Sequence, residues 1–287
     1  MTEKVAIVTD SVASLPEELV KKYDIEVVPV EVIFGDKSYR DGIDITPDKF
    51  YKMLKEAERL PTTAASLPGP VIETYLRAAR KTSNILFITL SEKFSGMYNS
   101  ALMARDMAKE SLPDVTIEVI DSRTAAAAEG LIVLAAARAA AAGESLEEVI
   151  RVTKSVINKV SLFAILDTLY YLNKGGRVPK IAALATAMLK IKPILSVHDG
   201  EAHPVTNPRT NNGAMKRILE LMDDTVVKGQ PLHVAIMHAD ALDRAILLRD
   251  EVTSRFDCTE LIVTEFTPVM GAHTGPGVVG VAFYCGD

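Results

Sequence analysis

Tryptophan is absent from this chain, and aromatic residues make up only 6% of it. A core with few large rings is filled mostly by Ala, Val, Ile and Leu, which suits helix-on-sheet packing and aliphatic pockets. Cysteine is nearly absent: Cys258 and Cys285 are the only two in 287 residues. That excludes a disulfide framework and points to a reducing compartment, so a cytoplasmic location is expected. Positive charge is not in excess, since 32 Lys and Arg stand against 38 Asp and Glu for a net charge of −6. Nucleic acid and anionic membrane surfaces want a basic face, so neither is an expected partner. No run of about 18 uncharged apolar residues occurs, so no transmembrane segment is expected. The most apolar helical stretch, around Gly130 to Ala142, is short and carries Arg138. The opening MTEKVAIVTD has an acid near its start and no apolar signal-peptide core, so no signal peptide is expected. Repeats, low-complexity tracts, charge blocks and a Ser/Gly linker are missing as well.

What is present alternates. VAIVTD (Val5–Asp10) reads as a buried strand, followed by a helix in LPEELVKKY with Pro16 near its start. IEVVPVEVIF (25–34) reads as a strand in which Pro29 marks an edge or a bend. Helices are predicted from Thr46-Pro47 to about Arg59, from about Pro70 to Lys81, and after Gly96 to about Lys109. ILFITL and TIEVID supply further strands, and two helices, the first Ala-rich, follow over about 124–142 and 146–159. Repeated strand-then-helix units predict a mostly parallel sheet with helices on both faces.

The second half differs. After LFAILD and a stretch containing KGGR, the segment KPILSVHDGEAHPVTNPR reads as a hairpin, with Asp199-Gly200 as its two-residue turn. Helices at about 212–226 and 241–256 alternate with strands at 232–238 and 261–265, and VVGVAFY is a last strand. The expectation is α/β throughout, in two domains, 1–160 and 161–287, with a parallel N-terminal sheet and a mixed C-terminal one.

Three segments read as loops that could carry chemistry, because open α/β sheets bind ligands at strand ends. They are PTTAAS (61–66), LSEKFSGMYNSA (90–101) and PVMGAHTGPG (268–277). Ser95 precedes a helix; it can serve as an ordinary N-cap, or with the Gly96 amide it can bind an anion at the positive helix end. Thr62 and Thr63 are loop hydroxyls on the plainest reading. His273 is the most suggestive of the five histidines, although a lone histidine is usually structural. GPGVVG matches G-x-G-x-x-G, but only seven residues follow Gly280, too few for the helix and the acidic residue of a dinucleotide site. His198, His203, His233 and His238 have no metal-ligand spacing, so no metal is expected. Arg177, after two glycines, is either a solvated loop cation or one placed for an anion. No Walker A motif, nucleophile elbow or kinase signature occurs.

Together these segments resemble the DegV family, whose members include the fatty-acid-binding subunits of bacterial fatty acid kinase. The resemblance covers essentially the whole chain. It rests on VTDSVASLP (8–16), PTT (61–63), LSEKFSGMYNSA, VIDS (119–122), LYYLNKGGRV (169–178), LKIKPIL (189–195), MHADA (237–241) and GAHTGPG. It implies an acyl chain threaded between the two domains, with no further cofactor. Its carboxylate would sit with Thr63, Ser95 and the Gly96 amide, near His273. A separate fatty acid kinase subunit would phosphorylate the bound acid, Arg177 would lie on the face that meets that partner, and Arg209 matches a further basic position. The family loop commonly reads PTTSQP, so Ala64 and Ala65 are a departure that removes polar groups but keeps Thr63. The rival reading is an enzyme with Ser95 or His273 as nucleophile, in acyl transfer or hydrolysis, or one related to the dihydroxyacetone kinases.

Overall fold

The computed structural model describes residues 4–178 and 191–286; Leu189 and Lys190 of the LKIKPIL segment lie outside the described residues. The first sheet contains β1 (Val5–Asp10), β2 (Glu26–Val28), β6 (Asn84–Thr89) and β7 (Thr116–Asp121), in the order β2-β1-β6-β7 and parallel throughout. Every residue of β1 and β6 is buried, as their unbroken apolar runs require of strands covered on both faces. Helices Pro68–Ala79 and Met97–Ala108 pack against this sheet and against each other.

The second sheet contains β8 (Ser161–Ile165), β9 (Ile194–His198), β10 (Glu201–Thr206), β11 (Leu232–His238), β12 (Glu260–Glu265) and β13 (Val279–Cys285). Their order is β10-β9-β8-β13-β11-β12. All neighbours are antiparallel except β11 and β12. Asp199 and Gly200 both have positive φ, 53° and 80°, as the tight primed turn of a hairpin requires. Strand alternation splits this sheet into two faces. Phe163 and Ile165 join a core with Ile218 and Met222 of helix Asn211–Thr225 and Leu248 and Val252 of helix Leu242–Arg255. Leu162, Ala164 and Leu166 turn the other way, into the larger core shared with the first sheet.

Between the sheets lies helix Ala126–Ala141, which touches β1, β6, β11 and β13. Twelve of its sixteen residues are buried, so it has no solvated face of useful width. Gly130 sits where a Cβ would meet the Ala13 carbonyl at 2.6 Å, so only glycine lets the loop after β1 lie on this helix.

Three expectations need correction. The segment 25–34 is two strands rather than one. Pro29 and Val30 turn the chain out of β2 into β3 (Glu31–Phe34), which belongs to a separate antiparallel sheet with β4 (Lys37–Arg40). PTTAAS is not all loop: β5 (Thr62–Ala64) pairs with β3, placing Thr63 opposite the fully buried Val32. Pro268–Thr274, read as loop, is a short helix. Its Gly271 is packed so closely that a Cβ would come within 2.7 Å of Phe50 and 2.8 Å of the Tyr51 hydroxyl on helix Pro47–Glu56.

Candidate functional site

In the parallel sheet the order reverses beside β1, and the crevice beyond the carboxyl ends of such strands is where ligands bind. A cavity of about 390 Å³ lies there. Val12 follows β1, Val30 follows β2, Leu90 and Ser95 follow β6, and Ala125 follows β7; all of them line it. The opposite wall comes from the inner face of the second sheet, through Leu162, Ala164, Leu195, Val197, Ala202 and Met237. The lining is mainly aliphatic, as the tryptophan-free composition suggested.

Thr63, Ser95, Gly96, Arg177 and His273 all line the cavity, as do Glu92, Lys93 and Thr274. Thr63 Oγ1 and His273 Nε2 share a hydrogen bond of 2.7 Å. Strand β5 and helix Pro268–Thr274 bring them together across 210 residues of sequence. Burial, and after it the positive charge of Arg177, push the imidazole pKa down to about 4, so the ring is neutral at pH 7. Its Nδ1 is buried without a hydrogen-bond partner. Gly175 backs it closely, since a Cβ there would come within 2.7 Å of Nδ1. The first glycine of KGGR thus makes room for the ring. Gly275, at φ +70°, lies against Tyr171, where any Cβ would overlap the phenol ring.

Ser95 stands one residue earlier than a cap. The helix starts at Met97 with Gly96 at its N-cap, and Ser95 Oγ accepts from the Met97 N–H at 3.3 Å. The hydroxyl therefore still satisfies an orphan amide of the first turn, and its own proton remains available to a ligand. Arg177 is exposed at the rim, where its Nη1 donates to the Gly175 carbonyl at 2.8 Å. Arg209 is exposed and does not line the cavity. Among the described residues, no group of three or more His, Cys, Asp or Glu could hold a metal ion. No described helix is long and apolar enough to cross a membrane. Sequence reasoning passed over Phe94, Met270 and the aliphatic wall of the second sheet, because their shared location depends on how the two sheets face each other.

The family model described as the DegV family matches residues 4–285. A DegV domain-containing protein of Caldanaerobacter subterraneus is 35% identical over 281 residues, covering 98% of this chain and 99% of the relative. The chain belongs to the DegV family. Its two-domain α/β architecture is the DegV fold. A DegV family protein from Thermus thermophilus, described for its fatty acid binding, superposes with a TM-score of 0.91 at 28% identity, over 98% of this chain and 99% of that one. A stearic-acid-binding protein from Eubacterium ventriosum gives a TM-score of 0.89 at 25% identity, over 98% of each chain.

Proposed function

We propose that this DegV protein is a cytoplasmic carrier that holds one long-chain fatty acid between a domain of residues 1–160 and a domain of residues 161–287. It presents the carboxylate to a separate fatty acid kinase, which forms the acyl phosphate. The observation that carries this reading is an aliphatic cavity lined from both sheets, with the hydrogen-bonded Thr63–His273 pair and Ser95 in its lining. Each buried methylene contributes about 0.8 kcal/mol, so about 14 of them offer ~11 kcal/mol. Association and ordering remove half of that or more. A carboxylate out of water needs hydrogen bonds. The Ser95 hydroxyl and the Gly96 amide would supply them for one oxygen, beside a helix N-terminus of twelve residues whose dipole favours negative charge. Thr63 would reach the other oxygen, and neutral His273 would orient the head group or its phosphorylated product. Arg177 and Arg209, both exposed, would face the kinase.

A serine nucleophile at Ser95 would need His273 beside it and a carboxylate behind the ring. Instead His273 Nε2 meets Thr63, Ser95 Oγ meets the Met97 amide, and Nδ1 has no partner. These contacts favour the carrier over an enzyme with Ser95 as nucleophile. The test is titration with a fluorescent fatty acid, followed by incubation with ATP and the organism's fatty acid kinase, trapping acyl phosphate with hydroxylamine. Saturable binding and kinase-dependent acyl hydroxamate are expected. Steady-state turnover of ATP or acyl-CoA by the chain alone, abolished by Ser95→Ala, would favour the enzyme.

A further inference from the structure

The two ring nitrogens of His273 have unlike surroundings. Nε2 lies 2.7 Å from the Thr63 hydroxyl oxygen. Nδ1 is buried and meets no hydrogen-bond partner. Gly175 faces it: a Cβ there would lie 2.7 Å from Nδ1, so the hydrogen that glycine carries in that place is directed at the ring nitrogen. The ring is neutral at pH 7 and therefore has one proton to place. On Nδ1 that proton would form a buried N–H set against a C–H, with no acceptor, the rarest and costliest kind of orphan. On Nε2 it donates to Thr63 Oγ1, and the bare Nδ1 lone pair receives the weak C–H contact from Gly175. The hydrogen bond at one nitrogen thus decides where the proton sits.

The consequence falls on Thr63. A hydroxyl has a single proton, and an Oγ1 that accepts from the ring keeps that proton for the cavity it lines. Ser95 stands in the same relation to its helix. Its Oγ accepts from the Met97 N–H at 3.3 Å, which leaves its proton free for the same cavity. The two hydroxyls belong to adjoining segments, since a Cβ on Gly96 would lie 3.9 Å from the Ala65 methyl, two residues along from Thr63.

We propose that His273 is a positioning residue held as the Nε2–H tautomer, and that by donating to Thr63 it makes the head-group site a set of donors alone. Thr63, Ser95 and the Gly96 amide then present protons rather than lone pairs to the ligand. Such a site selects an ionised carboxylate, which only accepts, over an alcohol, whose own proton would go unmet. With the opposite tautomer Thr63 would give its proton to Nε2 and turn a lone pair toward the carboxylate. The proposal rests on reading Thr63, Ser95 and Gly96 as the carboxylate site.

The test uses the full chain, stripped of lipid and labelled with nitrogen-15 at histidine. Long-range proton–nitrogen correlation spectra show which ring nitrogen carries the proton, and His273→Gln identifies the His273 signals by their loss. Wild type should show the proton on Nε2; a proton on Nδ1 overturns the proposal. Affinities are then measured for palmitate and for hexadecanol, which share a tail and differ in the head group. Wild type should prefer the acid. His273→Leu, which leaves Thr63 without a donor, should lose about fivefold of that preference, the effect of one hydrogen bond, through weaker acid binding at unchanged alcohol affinity. His273→Gln keeps an N–H at the Nε2 position and should hold the preference within about twofold of wild type. Thr63→Val should lose about tenfold, and His273→Leu added to it should cost nothing more, because the ring acts through that hydroxyl. A ring with a merely structural role would weaken both ligands alike, or add its loss to that of Thr63→Val, and either result overturns the proposal. If His273→Leu does not fold, the tautomer of the wild type decides alone. If wild type binds acid and alcohol equally, the carboxylate reading fails and the selectivity with it. If the preference stands while the proton is on Nδ1, only the relay from His273 fails.

Discussion

A histidine held neutral by burial is a poor counter-ion but a good hydrogen-bonding partner, and this is how His273 enters the account. On the proposed reading the tail would supply most of the affinity and the head group the orientation. Ser95→Ala should therefore weaken fatty acid binding about tenfold, the equivalent of one hydrogen bond to a charged group at ~1.5 kcal/mol. His273→Ala should reduce kinase-dependent acyl phosphate formation more than it reduces binding, which parallel titrations and hydroxamate assays would show. Arg177→Ala should leave binding within about twofold, as expected of an exposed rim contact, and slow the kinase step. Glu129 makes a separate prediction. It is fully buried, with Thr9 Oγ1 donating to Oε1 at 3.3 Å and Oε2 without a partner. Burial, with the Asp10 charge adding to it, pushes its pKa well above the usual carboxylate range. A carboxyl raised in the folded state stabilises fully below its unfolded pKa of about 4.5 and loses that contribution as pH rises toward the folded value. Glu129→Gln does not titrate. The stability of the variant relative to wild type should therefore climb with pH above about 4.5, with a limiting slope of ~1.4 kcal/mol per pH unit. Urea curves at about pH 5 and about pH 8 that differ by the same amount would contradict it.

At the scale of elements, the β9–β10 hairpin joins the two halves of the cavity. Ser91 Oγ donates to the Gly200 carbonyl at 2.8 Å, and Gly200 N donates to the Arg123 carbonyl at 2.9 Å. Arg123 reaches Asp199 at 2.5 Å, and Lys93 reaches Glu201 at 3.2 Å. Gly200→Ala puts a methyl within 2.7 Å of Ser91 Oγ at a φ of +80°. It should lower stability by about 1–2 kcal/mol from backbone strain alone and should also weaken fatty acid binding; thermal melts with and without ligand separate the two effects. This hairpin was legible, because Asp-Gly between alternating runs has few other uses. Strand β5 was not: three residues, Thr-Thr-Ala, carry no periodicity, and their pairing with β3 arises only once Pro29 has turned the chain out of the first sheet. The Pro268–Thr274 helix was hidden by its glycine. Gly271 argues against a helix locally, yet it is what allows the backbone to pack against Phe50 and Tyr51. Thr63, Ser95, Gly96 and His273 were named from family resemblance. Periodicity gave the strands they follow or precede, but not their meeting point.

For the whole molecule, fatty acid binding requires that the space between the sheets belong to a ligand rather than to packing. Ala202 lines that space from β10, opposite Val197. Ala202→Phe should fill part of the cavity, leaving thermal stability equal to wild type or higher and abolishing fatty acid binding. A variant that melts lower and still binds would place the tail elsewhere. Both the parallel and the mixed sheet line the cavity, so neither half alone would make the site. The most direct measurement is native mass spectrometry of the purified protein, with chloroform extraction and lipid analysis of the same sample. One non-covalently bound, intact long-chain fatty acid per chain is expected, released on denaturation and absent from Ala202→Phe. A chain that carries no lipid and takes none up from a fatty acid mixture, or one that carries a covalent acyl adduct on Ser95 or His273, would contradict it.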